Sequence, residues 1–168
     1  TMFWLKPHVA RGSDQWNFTA GVNVFGEVPE GDFSLHFYPR ATFQFHMVRE
    51  VIIPYFGVDG YLESNHYRKT VEENPYVVPG LSLRPTSHKL IAYAGLKGRF
   101  SEALAWNIRG SYSIIDDQYF FVADTTSPLR NQFGVVYDDL TMARVHGEFS
   151  IRPGDAWKII LKGNYYNY

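Results

Sequence analysis

The sequence predicts an all-β protein: an up-and-down antiparallel meander of about eight long strands, folded as a transmembrane β-barrel or a portion of one. Three observations predict it. Apolar and polar side chains alternate strictly through segments of ten to fifteen residues, the period of a strand with two unlike faces. One of those faces carries no charge. Connections alternate short and long, so the tight turns fall at one end of the meander and both longest loops at the other, as expected of a barrel that crosses a membrane.

The elements follow in order. Strand 2–10 puts Phe3, Leu5, Pro7 and Val9 on the apolar face, and strand 16–25 adds Trp16, Phe18, Ala20, Val22 and Val24. Strand 33–47 alternates without a break: Phe33, Leu35, Phe37, Pro39, Ala41, Phe43, Phe45 and Met47 face away from Ser34, His36, Tyr38, Arg40, Thr42, Gln44 and His46. A helix with this pattern would smear polar groups round its circumference. Strand 51–63 contributes Ile52, Pro54, Phe56, Val58, Gly60 and Leu62, and strand 89–100 contributes Leu90, Ala92, Ala94, Leu96, Gly98 and Phe100. In strand 103–115, Leu104, Trp106, Ile108, Gly110, Tyr112 and Ile114 oppose Ala105, Asn107, Arg109, Ser111 and Ser113. Strands 139–151 and 156–168 supply Thr141, Ala143, Val145, Gly147, Phe149 and Ile151, then Trp157, Ile159, Leu161, Gly163 and Tyr165. Pro7, Pro39 and Pro54 lie within strands, where each removes a ladder hydrogen bond, so bulges or strand ends are expected there. The short connections are 11–15, 48–50, 101–102 and 152–155; the others are 26–32 and the long segments 64–88 and 116–138.

These apolar faces comprise 46 positions, none charged, where the chain-wide 20% charged would place about nine. The opposite face holds Lys6, Arg40, Asp59, Glu63, Lys89, Lys97, Arg99, Arg109, Arg144, Glu148, Lys158 and Lys162, nine basic and three acidic, with His146 among them. Arg or Lys facing lipid at mid-bilayer costs roughly 2–4 kcal/mol, so a membrane barrel sorts its charges in this way, with the charged set facing the lumen. Trp16, Trp106 and Trp157 each follow a short turn, where a lipid-interface girdle would lie. A soluble eight-stranded barrel of the lipocalin or streptavidin type also alternates, with its apolar face inward. Strand length, terminal tryptophans and the Arg- and Lys-rich opposite face favour the membrane form.

Composition bounds the rest. The 168 residues carry a net charge of −1, and no charge block recruits nucleic acid. With no cysteine there is no disulfide or thiolate metal site. No run approaches the roughly 18 apolar residues of a membrane helix. No signal peptide precedes Thr1-Met2-Phe3-Trp4, which reads as the start of a mature fragment.

Catalytic, cofactor and metal sites are not expected. His36 and His46 lie about 33 Å apart along one strand at ~3.3 Å per residue and cannot share a metal. Arg144, His146 and Glu148 on one strand face read as a salt-bridge row, with no serine nucleophile at a known motif; a membrane acyltransferase or phospholipase is the enzyme alternative. Asn17-Phe18-Thr19 matches a glycosylation acceptor but falls mid-strand. Glu72, Glu73, Asp116, Asp117, Asp138 and Asp139 are either calcium donors or solvated loop ends. The apolar tracts Val77-Val78-Pro79-Gly80-Leu81-Ser82-Leu83 and Tyr119-Phe120-Phe121-Val122 either pack on each other over the barrel mouth or contact a ligand or partner protein.

Several phrases carry a resemblance: Pro54-Tyr55-Phe56-Gly57-Val58-Asp59-Gly60-Tyr61-Leu62-Glu63, Tyr67-Arg68-Lys69-Thr70-Val71-Glu72-Glu73-Asn74-Pro75-Tyr76, Tyr93-Ala94-Gly95-Leu96-Lys97-Gly98, Phe133-Gly134-Val135-Val136-Tyr137-Asp138-Asp139 and Leu161-Lys162-Gly163-Asn164-Tyr165-Tyr166. Over roughly 33–168 the chain resembles the barrels of Bacteroidetes outer-membrane proteins of the TonB-dependent-receptor-like kind. The resemblance implies a Gram-negative outer-membrane location, lipid as neighbour and a barrel larger than this segment. No plug or TonB-contacting segment is found. Family members finish on an aromatic in register with lipid-facing residues, whereas Tyr168 is in register with Lys158, Lys162 and Asn164, so 1–168 is expected to be one barrel segment of a larger protein. The expected function is transport or a porin-type pore with a net-basic lumen. The alternatives are a structural or adhesion barrel acting through its long loops and a soluble ligand-binding barrel.

Overall fold

The computed structural model describes residues 2–28, 33–47, 51–125, 131–154 and 156–168. Among the described residues nine strands form one antiparallel sheet with one short helix: β1 (Met2–Leu5), β2 (His8–Gly12), β3 (Trp16–Glu27), β4 (Ser34–Phe45), β5 (Ile53–Glu63), α1 (Tyr67–Glu73), β6 (Thr86–Ser101), β7 (Leu104–Ala123), β8 (Phe133–Gly154) and β9 (Trp157–Asn167). β1 and β2 both pair with β3, and the order then runs β4 to β9 as an up-and-down meander. The sheet is open, with β1 and β2 along one edge and β9 along the other. The expected turn at 48–50 lies outside the described residues, as do parts of the connections 26–32, 116–138 and 152–155.

The prolines account for the departures from an eight-strand count and for one weak ladder. β1 and β2 keep a single register on β3, Leu5 opposite Val24 and His8 opposite Gly21. They are one strand interrupted at Lys6-Pro7, where Pro7 still accepts from Val22 N–H at 3.1 Å but has no proton to return. Because Val22 turns its N–H toward β1 and β2, its partner Pro39 turns its backbone away from β3, toward β5. The β4–β5 ladder runs only from Ala41 opposite Val58 to Gln44 opposite Tyr55. In that register Pro39 and Pro54 are the next ladder-facing positions beyond its two ends, and neither can donate.

A side chain repairs one of these losses. In register, Pro39 lies opposite Gly60, whose carbonyl has no ladder donor. Asn23, only 2% exposed, reaches across β4 and donates from Nδ2 to Gly60 O (2.7 Å) and to Asp59 Oδ1 (2.8 Å), while Asp59 accepts the Gly60 N–H at 2.9 Å. Asn23→Ala leaves a buried carbonyl and a carboxylate short of a donor, and is expected to cost about 1–3 kcal/mol. Urea or guanidinium unfolding in micelles checks this, and an unchanged midpoint would refute the repair.

Three register shifts line up across the sheet. The β5–β6 ladder shifts between Asp59 and Tyr61, the β6–β7 ladder between His88 and Leu90, and the β7–β8 ladder between Ile115 and Gln118; the extra residue lies in β6 at the first two and in β7 at the third. At the last, Asp117 takes a positive φ of 54°, donates its N–H to Asp139 Oδ1 and accepts from Thr86 Oγ1. A bulge of one residue exchanges the two faces. Leu62, expected on the apolar face, is buried with Phe25 and Tyr38 instead. Below this line, toward the short turns, the two-face pattern holds.

The segment 116–138, read as a loop, is mostly strand. β7 and β8 continue past the bulge line, pairing from Gln118 opposite Asp138 to Ala123 opposite Phe133. The segment 64–88 likewise contains α1 and the start of β6. An Arg68–Glu72 pair at i, i+4 (3.0 Å) supports α1, and Asn74-Pro75 ends it.

Burial runs opposite to a soluble barrel. On the apolar face Phe37, Phe56, Ile108, Val145, Leu161 and Tyr165 are exposed. Buried strand residues such as Asn23, Tyr38 and Ser113 belong to the polar face. That face is also the concave one. Hydrogen bonds join strands two apart: Tyr38 to Ser87 (2.8 Å), Thr42 to Tyr93 (3.1 Å), Lys97 to Gln44 (3.1 Å) and Tyr55 to Asn107 (2.7 Å). Such strands lie about 9.5 Å apart, so side chains bridge them only where the sheet curls inward.

Candidate functional site

The concave face is layered from the turns upward. Its middle is a lattice of tyrosines on glycines. Tyr55 lies opposite Gly95 and Tyr93 opposite Gly57, and each ring covers the glycine across from it. The Tyr55 hydroxyl donates to Asn107, and Lys97 lies over the Tyr55 ring, 5.5 Å from its centroid. The Arg109 guanidinium stacks on Tyr93 at 3.9 Å.

Beside this lattice opens a cleft of about 390 Å³. Arg109, Arg144, His88 and His146 line it, with Tyr61, Asn107, Ser111 and Ser113 adding polar groups and Ile91 and Met142 an apolar wall. Strand register builds it: Arg109 lies opposite His146, and Ser111 opposite Arg144. Asn164 of β9 organises its far side. Its Oδ1 accepts from Arg144 Nε and Nη2 (3.1 and 2.7 Å) and lies 2.8 Å from His146 Nδ1. Glu148, further along β8, pairs with Lys162 at 3.2 Å and lies 3.8 Å from His146.

Past the bulge line the two long segments pack together. Lys69 of α1 pairs with Glu63 and lies 5.5 Å over the Tyr119 ring, and the Tyr119 hydroxyl donates to Glu73. Val77 is buried in a parallel bridge to Phe133. Arg84 stacks on Tyr137 at 4.4 Å and pairs with Asp117 at 3.3 Å. Each apolar tract packs on the other segment, Val77 on Phe133 and Tyr119 on α1.

Glu63, beyond the bulge line, is held down to about 2 by its hydrogen bond to His88, against the cost of burial, with Lys69 assisting. A depressed carboxylate stabilises its contacts fully above its unfolded pKa, near 4.5, and loses them as pH falls through about 2. Docking of α1 is thus expected to hold at neutral pH and to weaken between about 4.5 and 2. Hydrogen exchange of 67–73 across that window checks it; unchanged protection at pH 2 would remove Glu63 from the latch.

The other expected site residues fall as follows. Lys89 lies in the β6 bulge and pairs with Asp116, and Asp59 is tied to Asn23. Arg99 lines a second hollow with Lys97 and Trp106 near the turns. Arg40 and Lys158 stand on the same face outside the cleft, on β4 and β9. Trp16 stacks on Phe43 (6.5 Å), Trp106 stacks on Phe100 (5.8 Å), and Trp157 is 73% exposed, all three at the turn end. Among the described residues no three acidic or histidine side chains gather as a metal site. Asn23 and Asn164 escaped the sequence reading, since their roles depend on cross-strand register.

Comparison of the chain with protein-family models, with curated proteins and with solved structures finds no match.

Proposed function

We propose that this chain forms wall of an outer-membrane β-barrel of the transport or porin type, with a polar, net-basic interior. One observation carries the reading: the uncharged apolar face is the exposed, convex one, and the charged face is the concave one. A soluble barrel requires the reverse. Arg11 joins the apolar face only at the turn end of β2, opposite Phe18.

Dimensions support it. From Leu104 to Ile114, where β7 alternates below its bulge, the strand covers about 33 Å at ~3.3 Å per residue. Tilted by about 40°, that is about 25 Å, the height of the apolar band of such barrels. Small residues Ala41, Ala92, Ala94 and Gly110 beside the Phe43–Phe56 pair leave an open apolar trough of about 640 Å³ on this face, a shape suited to acyl chains. In lipid the edges at β1, β2 and β9 need partners, supplied by each other or by further strands, because the bilayer offers no donors. The local phrases that resemble TonB-dependent-receptor-like barrels agree with this placement.

Refolding the full chain with lipid vesicles tests it. Flotation with the vesicles and an anion-preferring conductance in planar bilayers are expected. A monodisperse, detergent-free monomer would overturn the membrane reading. Insertion without conductance would favour a second reading, a partner-binding barrel, for which the exposed Phe120, Val122 and Val136 on the protruding β7–β8 extension speak.

A further inference from the structure

We propose that the cleft between Arg109 and Arg144 is a binding site for a small oxyanion: the phosphate, sulfate or carboxylate group of a solute inside the barrel. The site deepens the transport reading, on which solute access to this face rests.

Charge is the first argument. Several cations elsewhere on the chain are matched by carboxylates: Lys69 by Glu63, Lys89 by Asp116, Lys162 by Glu148 and Arg84 by Asp117. Arg109 and Arg144 have no carboxylate partner among the described residues, and no carboxylate lines the cleft. Arg144 is bound by the Asn164 amide oxygen, which holds the guanidinium without cancelling its charge. Two cations in one partly enclosed, half-apolar hollow repel each other, and an anion between them removes that cost.

Presentation is the second. The Arg109 guanidinium lies flat on Tyr93 at 3.9 Å, and Arg144 is fixed by Asn164 and lies 5.2 Å over Tyr166. At Arg109 aromatic stacking leaves in-plane N–H groups for a ligand, whereas Arg144, whose Nε and Nη2 bind Asn164, offers Nη1. Arg109 and Arg144 are diagonal neighbours on paired strands, about 7–8 Å apart at the backbone; Arg109 leans over Tyr93 of β6 and Arg144 toward Asn164 and Tyr166 of β9, and both line the one cleft. Ser111, directly opposite Arg144, places a hydroxyl on the same floor. At about 390 Å³ the cleft has room for the anionic group and several attached carbons, and Ile91 and Met142 give those carbons an apolar wall.

The test uses the full chain refolded in detergent micelles, with inorganic phosphate and sulfate titrated calorimetrically at constant ionic strength. Saturable binding is expected. Arg109→Gln and Arg144→Gln should each weaken it at least tenfold, Arg144→Lys should weaken it less, and Lys158→Gln should leave it unchanged. The Lys variant keeps the charge and guards against a glutamine variant that fails to fold, which circular dichroism reports. Absence of saturable binding overturns the proposal. So does equal weakening by Lys158→Gln, which would make the attraction a diffuse property of the face. Vesicle flotation separates the two readings. Insertion without anion binding removes the site and leaves the barrel, whereas anion binding by a chain that does not insert keeps the site and removes the barrel.

Discussion

Ile108→Arg is expected to destabilise the vesicle-inserted protein by about 2–4 kcal/mol, a shift of roughly 30- to 1000-fold in the folding equilibrium. Ile108 lies near the midpoint of the alternating stretch of β7, on the convex face, and is 46% exposed in the open sheet. In water, arginine at so exposed a position would change stability by no more than about 0.5 kcal/mol. Against lipid at mid-depth it must either shed water or drag it inward. The size of the effect therefore reads out the neighbour of this face. Phe100→Arg, on the same face beside the short turn at 102–103, is expected to cost only about 0–1 kcal/mol, since the penalty fades toward the interface. Equilibrium unfolding of both variants in vesicles, and of Ile108→Arg in micelles, supplies the comparison. Equal small effects at both positions would sink the lipid assignment.

Gly95→Val, on the concave face, is expected to cost about 3 kcal/mol. A Cβ at Gly95 would lie 2.6 Å from the Ile108 carbonyl oxygen and 2.6 Å from the Tyr55 phenol. The tyrosine can rotate away, but the backbone oxygen cannot. Overpacking of this kind costs about 1–3 kcal/mol. Moving Tyr55 also breaks its 2.7 Å hydrogen bond to Asn107, worth about 1 kcal/mol. Adding Tyr55→Ala is expected to recover the side-chain share of the clash and leave the backbone share. Thermal or denaturant unfolding of the single and double variants checks this; a Gly95→Val protein as stable as the parent would disprove the close packing of ring on glycine.

The all-β meander was legible because a two-residue period survives in sequence wherever both faces differ, as from Phe33 to Met47. What was not legible has a common cause. A one-residue bulge leaves composition untouched but exchanges the faces, so a register carried straight through Lys89 in β6 sends His88 to the wrong side, away from Tyr61 and the cleft. The run Tyr119-Phe120-Phe121-Val122 looked like a loop because it lacks alternation. It is a strand with apolar groups on both sides, Tyr119 covered by α1 and Phe120 exposed. The cleft was half visible. Arg109, Arg144 and His146 could be assigned to the charged face by parity, but their convergence depends on the pairing of β7 with β8, and Asn164 joins them only through the register of β9.

The two prolines that bound the β4–β5 ladder also order events in time. β6, β7 and β8 form long hairpins between chain neighbours, joined by the two-residue turn at 102–103 and the β7–β8 extension. Such local pairings close early and cheaply. The four-pair seam, Ala41–Gln44 against Tyr55–Val58, gains little from its own backbone and relies on Asn23, Tyr38 and Thr42 reaching over it to β5 and β6. Those reaches exist only once both halves are formed. Assembly is thus expected to zip from the C-terminal hairpins, with β1–β4 docking last as a unit, and on unfolding the sheet parts first along this line.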